Sequence, residues 1–400
     1  MPASARSHIT LLYCARGLRG FGDGFAIIIL PAYLAAAGFS PAQIGFVATA
    51  SLLGTALLTL AVGLIAPRHD LRHLMIGGAM LIVATGLAFP AAQHVALVSF
   101  VAFFGTINPS SGDLGVLVPL EHATLARDAA DQERTRIFAR YSLIGALSSA
   151  AGALAAALPD FIVLGGTGKI GAFKLMFYLY ALLGLVCAAL YRLLPPAQAQ
   201  EARPAAPLGP SRGVVYRLAA LFSIDAFAGG FVVQSLLALW LFERFDLSLS
   251  AAGLFFFWAS VLSAFSYPIA ARIAERIGLV NTMVFTHIPS SIFLILAAFS
   301  PSLWLTLALL LGRAALSQMD VPTRTSYVMA VVTPPERPAA ASVTAVPRSL
   351  AASISPALSG FLIATSFSGL PLVICGALKI AYDVALLFSF RHIKPAEERS

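Results

Sequence analysis

Long apolar runs separated by short polar segments make up almost the whole chain. A helix needs about 20 largely apolar residues to cross a bilayer. Runs of that size lie at 9–36, 42–66, 73–93, 95–119, 137–158, 172–193, 216–241, 250–272, 282–299, 302–322, 342–365 and 370–390. The pattern predicts an all-α membrane protein with twelve transmembrane helices. The Pro- and Ala-rich segment 195–214 predicts a cytoplasmic linker between an N-terminal six-helix half, 1–194, and a C-terminal six-helix half, 215–400.

The two predicted halves repeat one another. A charged segment follows the second run at 63–75, and a similar segment follows the eighth run 208 residues later, at 271–283. At this offset the identical pairs are Ile65/Ile273, Ala66/Ala274, Arg68/Arg276, Leu71/Leu279 and Met75/Met283, and further along the chain Arg140/Arg348 and Gly152/Gly360. One near-constant shift indicates a duplicated half. Parallel repeats of this kind are typical of many secondary transporters.

Composition supports a membrane protein and argues against a soluble one. Hydrophobic residues make up 59% of the chain and charged residues 11%, with a mean hydropathy of +0.86, whereas soluble domains carry roughly 25% charge. Most of the 26 Lys and Arg residues fall in the N-terminus, the even-numbered connections and the C-terminal tail. This positive-inside pattern predicts that both termini are cytoplasmic. We expect a monomer in the bacterial inner membrane. Its expected contacts are the lipid bilayer and a small solute, and we expect no nucleic-acid partner.

No motif for catalysis, metal binding or cofactor binding stands out. The Gly-Gly-Thr-Gly-Lys segment at 165–169 lacks the leading glycine of a phosphate-binding loop, because residue 163 is Val163, and Ile170 follows the lysine in place of Ser or Thr. Neither a His-Glu-x-x-His zinc motif nor a nucleophile elbow occurs. We therefore expect a protein that is not an enzyme, with no cofactor and no metal, and with an ion or solute gradient as the driving force.

The repeated charged segment resembles the loop signature of the major facilitator superfamily, Gly-x-x-x-Asp-Arg-x-Gly-x-Arg-Arg. In the second half Ala271, Glu275, Arg276 and Gly278 follow that signature in degenerate form. In the first half Gly63, Arg68 and Arg72 fit, whereas Pro67 replaces the acid and Asp70 the second glycine. The resemblance implies the twelve-helix fold of that superfamily, with helices 1, 4, 7 and 10 around a central cavity.

Several ionisable or polar residues lie inside the predicted helices, where burying a charge is costly without a partner or a water-filled cavity. Arg16, Arg19 and Asp23 share one face of the first run. An internal Arg19–Asp23 pair that only orients the helix is the structural alternative to a cavity wall. Together with the implied position of helices 1, 4, 7 and 10, this predicts substrate contacts from Arg16, Arg19, Asp23, Asn108, Asp225, Gln234 and Arg313, with Asp23 and Asp225 as proton carriers.

Two further buried groups have structural interpretations. Lys379 and Asp383 are four residues apart in the twelfth run and predict a self-neutralising pair. His287 in the ninth run is interpreted as a buried histidine that is satisfied by hydrogen bonds. A proton relay is the alternative for His287.

A cytoplasmic gate is predicted near the ends of the fourth and tenth runs. Asp113 and Asp320 occupy equivalent positions there, and the loop arginines of each half lie within reach. The resemblance implies the same role. The predicted gate comprises Arg68, Arg72, Asp113, Arg140, Glu275, Arg276, Asp320 and Arg348.

The function predicted first is secondary active transport of a small organic solute by alternating access, coupled to protons and directed outward. A segment at Ser355–Gly360 weakly resembles an antiporter signature and favours export slightly. Uptake or exchange of an organic anion is the alternative, because Arg16, Arg19 and Arg313 against Asp23 and Asp225 leave one positive charge. That surplus disappears if Asp320 draws Arg313 away. A non-transporting receptor on the same fold is a further alternative.

Overall fold

Helices form every regular element in the part of the chain that the structure describes. The computed structural model describes residues 3–110, 115–128, 133–196, 208–333 and 336–390. The helices are α1 (Ala3–Ala36), α2 (Pro41–Ile65), α3 (Leu71–Ala88), α4 (Val95–Phe104), α5 (Leu117–Asp128), α6 (Arg134–Ala155), α7 (Leu158–Leu164), α8 (Lys169–Arg192), α9 (Arg212–Gly230), α10 (Gln234–Phe245), α11 (Leu249–Ile277), α12 (Leu279–Phe299), α13 (Leu303–Ser317), α14 (Asp320–Val331), α15 (Arg337–Ile363) and α16 (Leu370–Phe390).

Each of the twelve predicted runs contains helix, which confirms the all-α membrane fold. By length and apolar composition, nine helices of the described residues could cross a membrane, with α6 and α7 counted as one and α9 and α10 as one. α4, α5, α13, α14 and α15 are not among these nine. The count of twelve crossings therefore stays a prediction.

Three predicted runs are broken into two helices each: the fourth into α4 and α5, the seventh into α9 and α10, and the tenth into α13 and α14. The breaks follow from local sequence. α9 ends in Gly229–Gly230, glycine being a poor helix former, and Val233 is extended (ψ 150°) before α10 begins. Pro322 stands in the first turn of α14, where a proline is tolerated because the amide that it lacks has no helical partner.

The chain divides into two compact units. The first comprises residues 1–201 and 233–257, and the second comprises residues 202–232 and 258–400. α9 thus belongs to the second unit and α10 to the first. The predicted division at residues 195–214 into two six-helix halves stays a prediction.

Small residues bring α1 and α6 close together in the first unit. A methyl group on Gly24 would overlap the Ser149 carbonyl, and one on Gly20 would lie 2.8 Å from the Gly145 oxygen. This close approach fits small-residue packing between membrane helices. α8 also packs against α1 and α3, and α2 packs against α4.

The second unit repeats this arrangement with α9 and α15. Ser355 Oγ donates to the Phe227 carbonyl at 2.6 Å, and Ser359 Oγ donates to the Phe231 carbonyl at 2.7 Å. A methyl group on Gly230 would overlap Ser355. The segment Ser355–Gly360, which resembles an antiporter signature, therefore helps to hold α15 against α9.

Candidate functional site

A buried ion pair joins α1 to α5 in the first unit. The Arg19 guanidinium pairs with the Glu121 carboxylate, and these side chains are 7% and 0% exposed. Two hydroxyl groups also donate to Glu121, from Tyr141 of α6 and from Tyr191 of α8, the latter at 2.5 Å. Four helices thus meet at one carboxylate. A buried carboxylate needs several hydrogen bonds to offset its loss of water, and Arg19, Tyr141 and Tyr191 supply them to Glu121.

Asp23 lies close to this pair but is not part of it. Tyr180 Oη donates to Asp23 Oδ1 at 3.2 Å, and the same hydroxyl is 3.0 Å from Thr106 Oγ1. Within the described residues, no Lys or Arg nitrogen comes within 4.0 Å of Asp23. The considered Arg19–Asp23 pair is therefore wrong, because Glu121 offers Arg19 a better-buried partner across helices. Asp23, Arg19, Thr106 and Tyr180 line one small cavity.

Arg16 is buried on the same side of α1. Its guanidinium lies over the Tyr141 ring, 5.2 Å from the centroid, and the side chain fits against Gly145. A cation above an aromatic face is stabilised by the ring quadrupole. Arg16 and Arg19 against Asp23 and Glu121 leave this first charge cluster, defined by these four residues, balanced at two charges of each sign.

A second charge cluster lies in the second unit and centres on Asp225 of α9. Lys379 Nζ of α16 lies 2.6 Å from Asp225 Oδ1, and Arg324 Nη1 of α14 lies 3.1 Å from Asp225 Oδ2. Arg324 also pairs with Asp320, one turn earlier on α14, at 3.3 Å. Asp225 is only 5% exposed. Two cations from two helices therefore hold this carboxylate.

His287 of α12 extends the second cluster to Asp383 of α16. His287 Nδ1 lies 3.0 Å from both Asp383 oxygens, and Nε2 lies 3.2 Å from Lys379 Nζ. The predicted Lys379–Asp383 pair is therefore wrong, because Lys379 reaches Asp225 on the neighbouring helix and leaves Asp383 to His287. No three His, Cys, Asp or Glu side chains of the described residues could together hold a metal ion.

Arg313 of α13 stands apart from these ion pairs. Its side chain is half-buried, and among the described residues no carboxylate oxygen lies within 4.0 Å of the guanidinium. Asp320 pairs with Arg324 and does not draw Arg313 away. The predicted surplus of one positive charge stays a prediction. Its count left out Glu121 in the first unit and Arg324, Lys379, Asp320 and Asp383 in the second, which the structure places in the buried ion pairs.

Asn108 and Gln234 lie where the fourth and seventh runs are broken. The Pro109 carbonyl accepts a hydrogen bond from the Ser235 amide at 3.1 Å, which ties the two breaks together inside the first unit. Asn108 Oδ1 accepts from the Ser110 amide at 2.8 Å. Asn108 Nδ2, Gln234 Oε1 and Ser235 Oγ are buried and have no hydrogen-bond partner among the described residues. These atoms could bind water or a solute.

Most of the predicted gate residues lie in the described part of the chain, and there no ion pair joins any two of them. Asp70, which departs from the loop signature, caps α3 by accepting from the Arg72 amide at 2.9 Å. The Arg72 guanidinium donates to the Leu194 carbonyl at the end of α8 at 3.2 Å. The side chains of Arg68, Arg140, Glu275, Arg276 and Arg348 are exposed in the described structure. Asp113 lies outside the described residues, so its gate role stays a prediction.

The prediction from sequence missed Glu121 and Arg324, the partners of Arg19 and Asp225. Both lie beyond the apolar runs, in the polar half-helices α5 and α14, where a hydropathy pattern predicts a loop. A signal was present nevertheless. Val118-Pro119 and Val321-Pro322 repeat at an offset of 203 residues, and the same offset superposes Glu121 on Arg324.

Known proteins share both the sequence pattern and this fold. The chain is 25% identical over 423 aligned residues to an uncharacterised membrane protein of Saccharomyces cerevisiae, covering 96% of this chain and 94% of that one. Solved structures with the same fold include a point mutant of the nucleoside transporter NupG, with a TM-score of 0.77, 13% identity and coverage of 96% and 100%. The xylose transporter XylE of E. coli also has this fold, with a TM-score of 0.74, 16% identity and coverage of 98% of this chain and 97% of that one.

The human organic anion transporter TETRAN has the same fold, with a TM-score of 0.65, 14% identity and coverage of 96% of this chain and 100% of that one. At these identities the structural likeness shows the fold alone. The family is shown by sequence, because the Major Facilitator Superfamily matches residues 12–242 and 218–400. This chain therefore belongs to the Major Facilitator Superfamily.

Proposed function

We propose that this protein is a secondary transporter that exports a small organic solute in exchange for protons, by alternating access. Membership of the superfamily supports transport, and the buried ionisable residues of the membrane helices support an ion-coupled mechanism. The proposed orientation places both termini in the cytoplasm.

The observation that carries proton coupling is the position of Asp23. Its carboxyl group faces a small cavity, contacts the Tyr180 hydroxyl at 3.2 Å and has no cationic nitrogen within 4.0 Å among the described residues. A carboxyl group enclosed among membrane helices without a bound cation gains stability by binding a proton or a cationic ligand. Asp225 has two cationic partners and is less suited to exchange a proton.

Transport of an organic acid is the second candidate, and Arg313 favours it. The arginine has no carboxylate partner among the described residues, and its planar guanidinium suits a carboxylate or phosphate group. This candidate is also supported by the fold that the chain shares with TETRAN, a human organic anion transporter. The two candidates are compatible, because an exported acid can be exchanged for protons.

Transport can be tested before the substrate is identified. Purified protein is screened by thermal shift against organic acids, organic cations and neutral solutes, and each stabilising compound is offered to energised membrane vesicles. Proton-coupled export predicts accumulation in inside-out vesicles with an acidic lumen, and its loss on adding a protonophore. Accumulation only in right-side-out vesicles would indicate uptake. Binding without flux in either preparation would indicate a receptor.

A further inference from the structure

We propose that His287 and Asp383 form the proton-binding site of the second unit, and that Lys379 connects this site to Asp225. The inference rests on the proposed proton coupling and assigns the residues that perform it in this unit. It replaces Asp225 as the proton carrier there. His287 lies on α12, Asp383 and Lys379 lie on α16, and Asp225 lies on α9.

Asp383 is a fully buried carboxyl group that lacks a cationic neighbour of fixed charge. Its side chain is 0% exposed, and both oxygens lie 3.0 Å from His287 Nδ1. No Lys or Arg nitrogen of the described residues comes within 4.0 Å of it. A buried carboxylate without a counter-charge is strongly disfavoured. The pair must therefore hold at least one proton, with Nδ1 donating to the carboxylate or the carboxylic acid donating to Nδ1.

The opposite nitrogen of His287 shows where a second proton would bind. Nε2 lies 3.2 Å from Lys379 Nζ, and an ammonium group has only donors. Nε2 must therefore accept, which excludes the tautomer with hydrogen on Nε2 and places the imidazole proton on Nδ1, where it donates to the Asp383 carboxylate. A proton arriving from water would form a new N–H bond at Nε2 and would break the hydrogen bond from Lys379. The new N–H would face Asp225 Oδ1, which lies 3.9 Å from Nε2.

Other charged groups surround His287 at greater distance. Asp320 and Arg324 of α14 bind each other, and Arg324 also binds Asp225. From α16, the Tyr382 ring stands edge-on, 6.2 Å from the imidazole. Cys375 of α16, Arg313 of α13, Arg348 of α15 and the buried Tyr327 of α14 are further ionisable groups on helices of this unit. The imidazole makes no described hydrogen bond or ion pair with Asp320, Arg324, Tyr382, Cys375, Arg313 or Arg348.

The arrangement gives protonation a mechanical consequence. With His287 neutral, Lys379 donates both to Nε2 and to Asp225, at 3.2 Å and 2.6 Å. With His287 doubly protonated, Lys379 is repelled, and two cations compete for the same face of Asp225. Because α9, α12 and α16 each contribute one member, a proton at His287 changes the forces among three helices. This provides a physical link between proton binding and helix movement.

The tautomer of His287 tests the inference directly. The full-length protein in lipid nanodiscs is labelled with ¹⁵N-histidine, and the His287 signals among the seven histidines are identified by their loss in His287→Gln. We expect an unprotonated Nε2 at high pH and a doubly protonated ring as the pH falls. In Asp383→Asn we expect the Nδ1 signal to shift, because Nδ1–H then donates to an amide oxygen and no longer to a carboxylate. An Nε2–H tautomer in the wild type, or unchanged signals in Asp383→Asn, would overturn the proposal.

Transport measurements separate this proposal from the general function. If wild-type flux depends on the pH gradient and Asp383→Asn retains that dependence in full, the His287–Asp383 site is wrong and proton coupling stands. If wild-type flux ignores the gradient, the proposed function fails, whereas the NMR titration still decides the site. His94→Gln, at an exposed histidine, controls for the substitution, and Asp383→Glu should restore coupling if the carboxyl group is what matters.

Discussion

Glu121 and Arg324 occupy the same position, the fifth residue, in the corresponding half-helices α5 and α14, and they carry opposite charges. Each pairs with a residue of the first helix of its half. Glu121 binds Arg19 of α1, and Arg324 binds Asp225 of α9. The two compact units therefore each contain an ion pair between helices in corresponding places, with the sign of each partner exchanged.

Breaking the first of these pairs should destabilise the protein. Glu121→Gln removes the negative charge that neutralises Arg19. It also weakens the hydrogen bonds that Glu121 accepts from the Tyr141 and Tyr191 hydroxyls. Leaving one buried charge unpaired costs about 3–5 kcal/mol. We expect a large drop in thermal stability in detergent. Arg19→Gln combined with Glu121→Gln should cost less than the sum of the single variants, and simple additivity would contradict the pair.

Asp23→Asn should abolish accumulation driven by a pH gradient while exchange down a solute gradient continues, because the amide keeps the shape of the side chain but cannot take up a proton. The measurement is gradient-driven uptake against counterflow in proteoliposomes. Asp225→Asn is the companion variant. If both variants keep full pH-driven transport, proton coupling through these two groups is wrong.

Arg313 should decide the charge of the solute. Arg313→Gln removes the half-buried cation that has no carboxylate partner among the described residues, so binding of an acidic solute should weaken about tenfold or more, in line with a charged hydrogen bond of about 1.5–3 kcal/mol. Arg313→Lys keeps the charge but loses the planar fork and should recover only part of the affinity. Unchanged transport of a cationic dye, with no thermal-shift response to any acid, would reject the anion hypothesis.

Neutralising the predicted gate should change rate more than affinity. Asp113→Asn and Asp320→Asn remove carboxylates that are predicted to pair with loop arginines when the cytoplasmic side is closed. A partly exposed pair is worth about 1 kcal/mol or less, and a buried pair several times more. Flux and thermal-shift affinity should be measured in parallel. Asp246→Asn is a matched control, since Asp246 is exposed and its positive φ of 48° suits asparagine. Unaltered flux in both gate variants would contradict a latch.

Glu336 should make the second unit sensitive to acid. Hydrogen bonds from the Thr333 and Ser211 hydroxyls and from the Gly209 amide lower the pKa of Glu336 to about 2. A lowered pKa in the folded state stabilises the fold above the unfolded pKa of 4.5, and the benefit disappears as the pH falls towards 2. Glu336→Gln should therefore melt below the wild type at pH 7. The difference between the two melting temperatures should shrink below pH 4.5, and a constant difference would contradict this account.

The sequence by itself determined the class of protein. Runs of about 20 apolar residues require helices in a bilayer, since no other element within one short segment satisfies its own backbone there. The repeat at an offset of about 208 residues and the loop arginines identified the superfamily. Gly20 and Gly24, four residues apart on α1, are small enough to allow the close packing of α6 against α1.

Only the tertiary structure decided the partners of the buried charges. Spacing along one helix suggested Arg19 with Asp23 and Lys379 with Asp383, because residues four apart share a face. In the fold, each cation instead reaches an acid on another helix: Glu121 for Arg19 and Asp225 for Lys379. A buried cation is stabilised by the carboxylate that the packed helices bring within reach. Which acid that is depends on how several helices converge, and the periodicity within one helix does not record it.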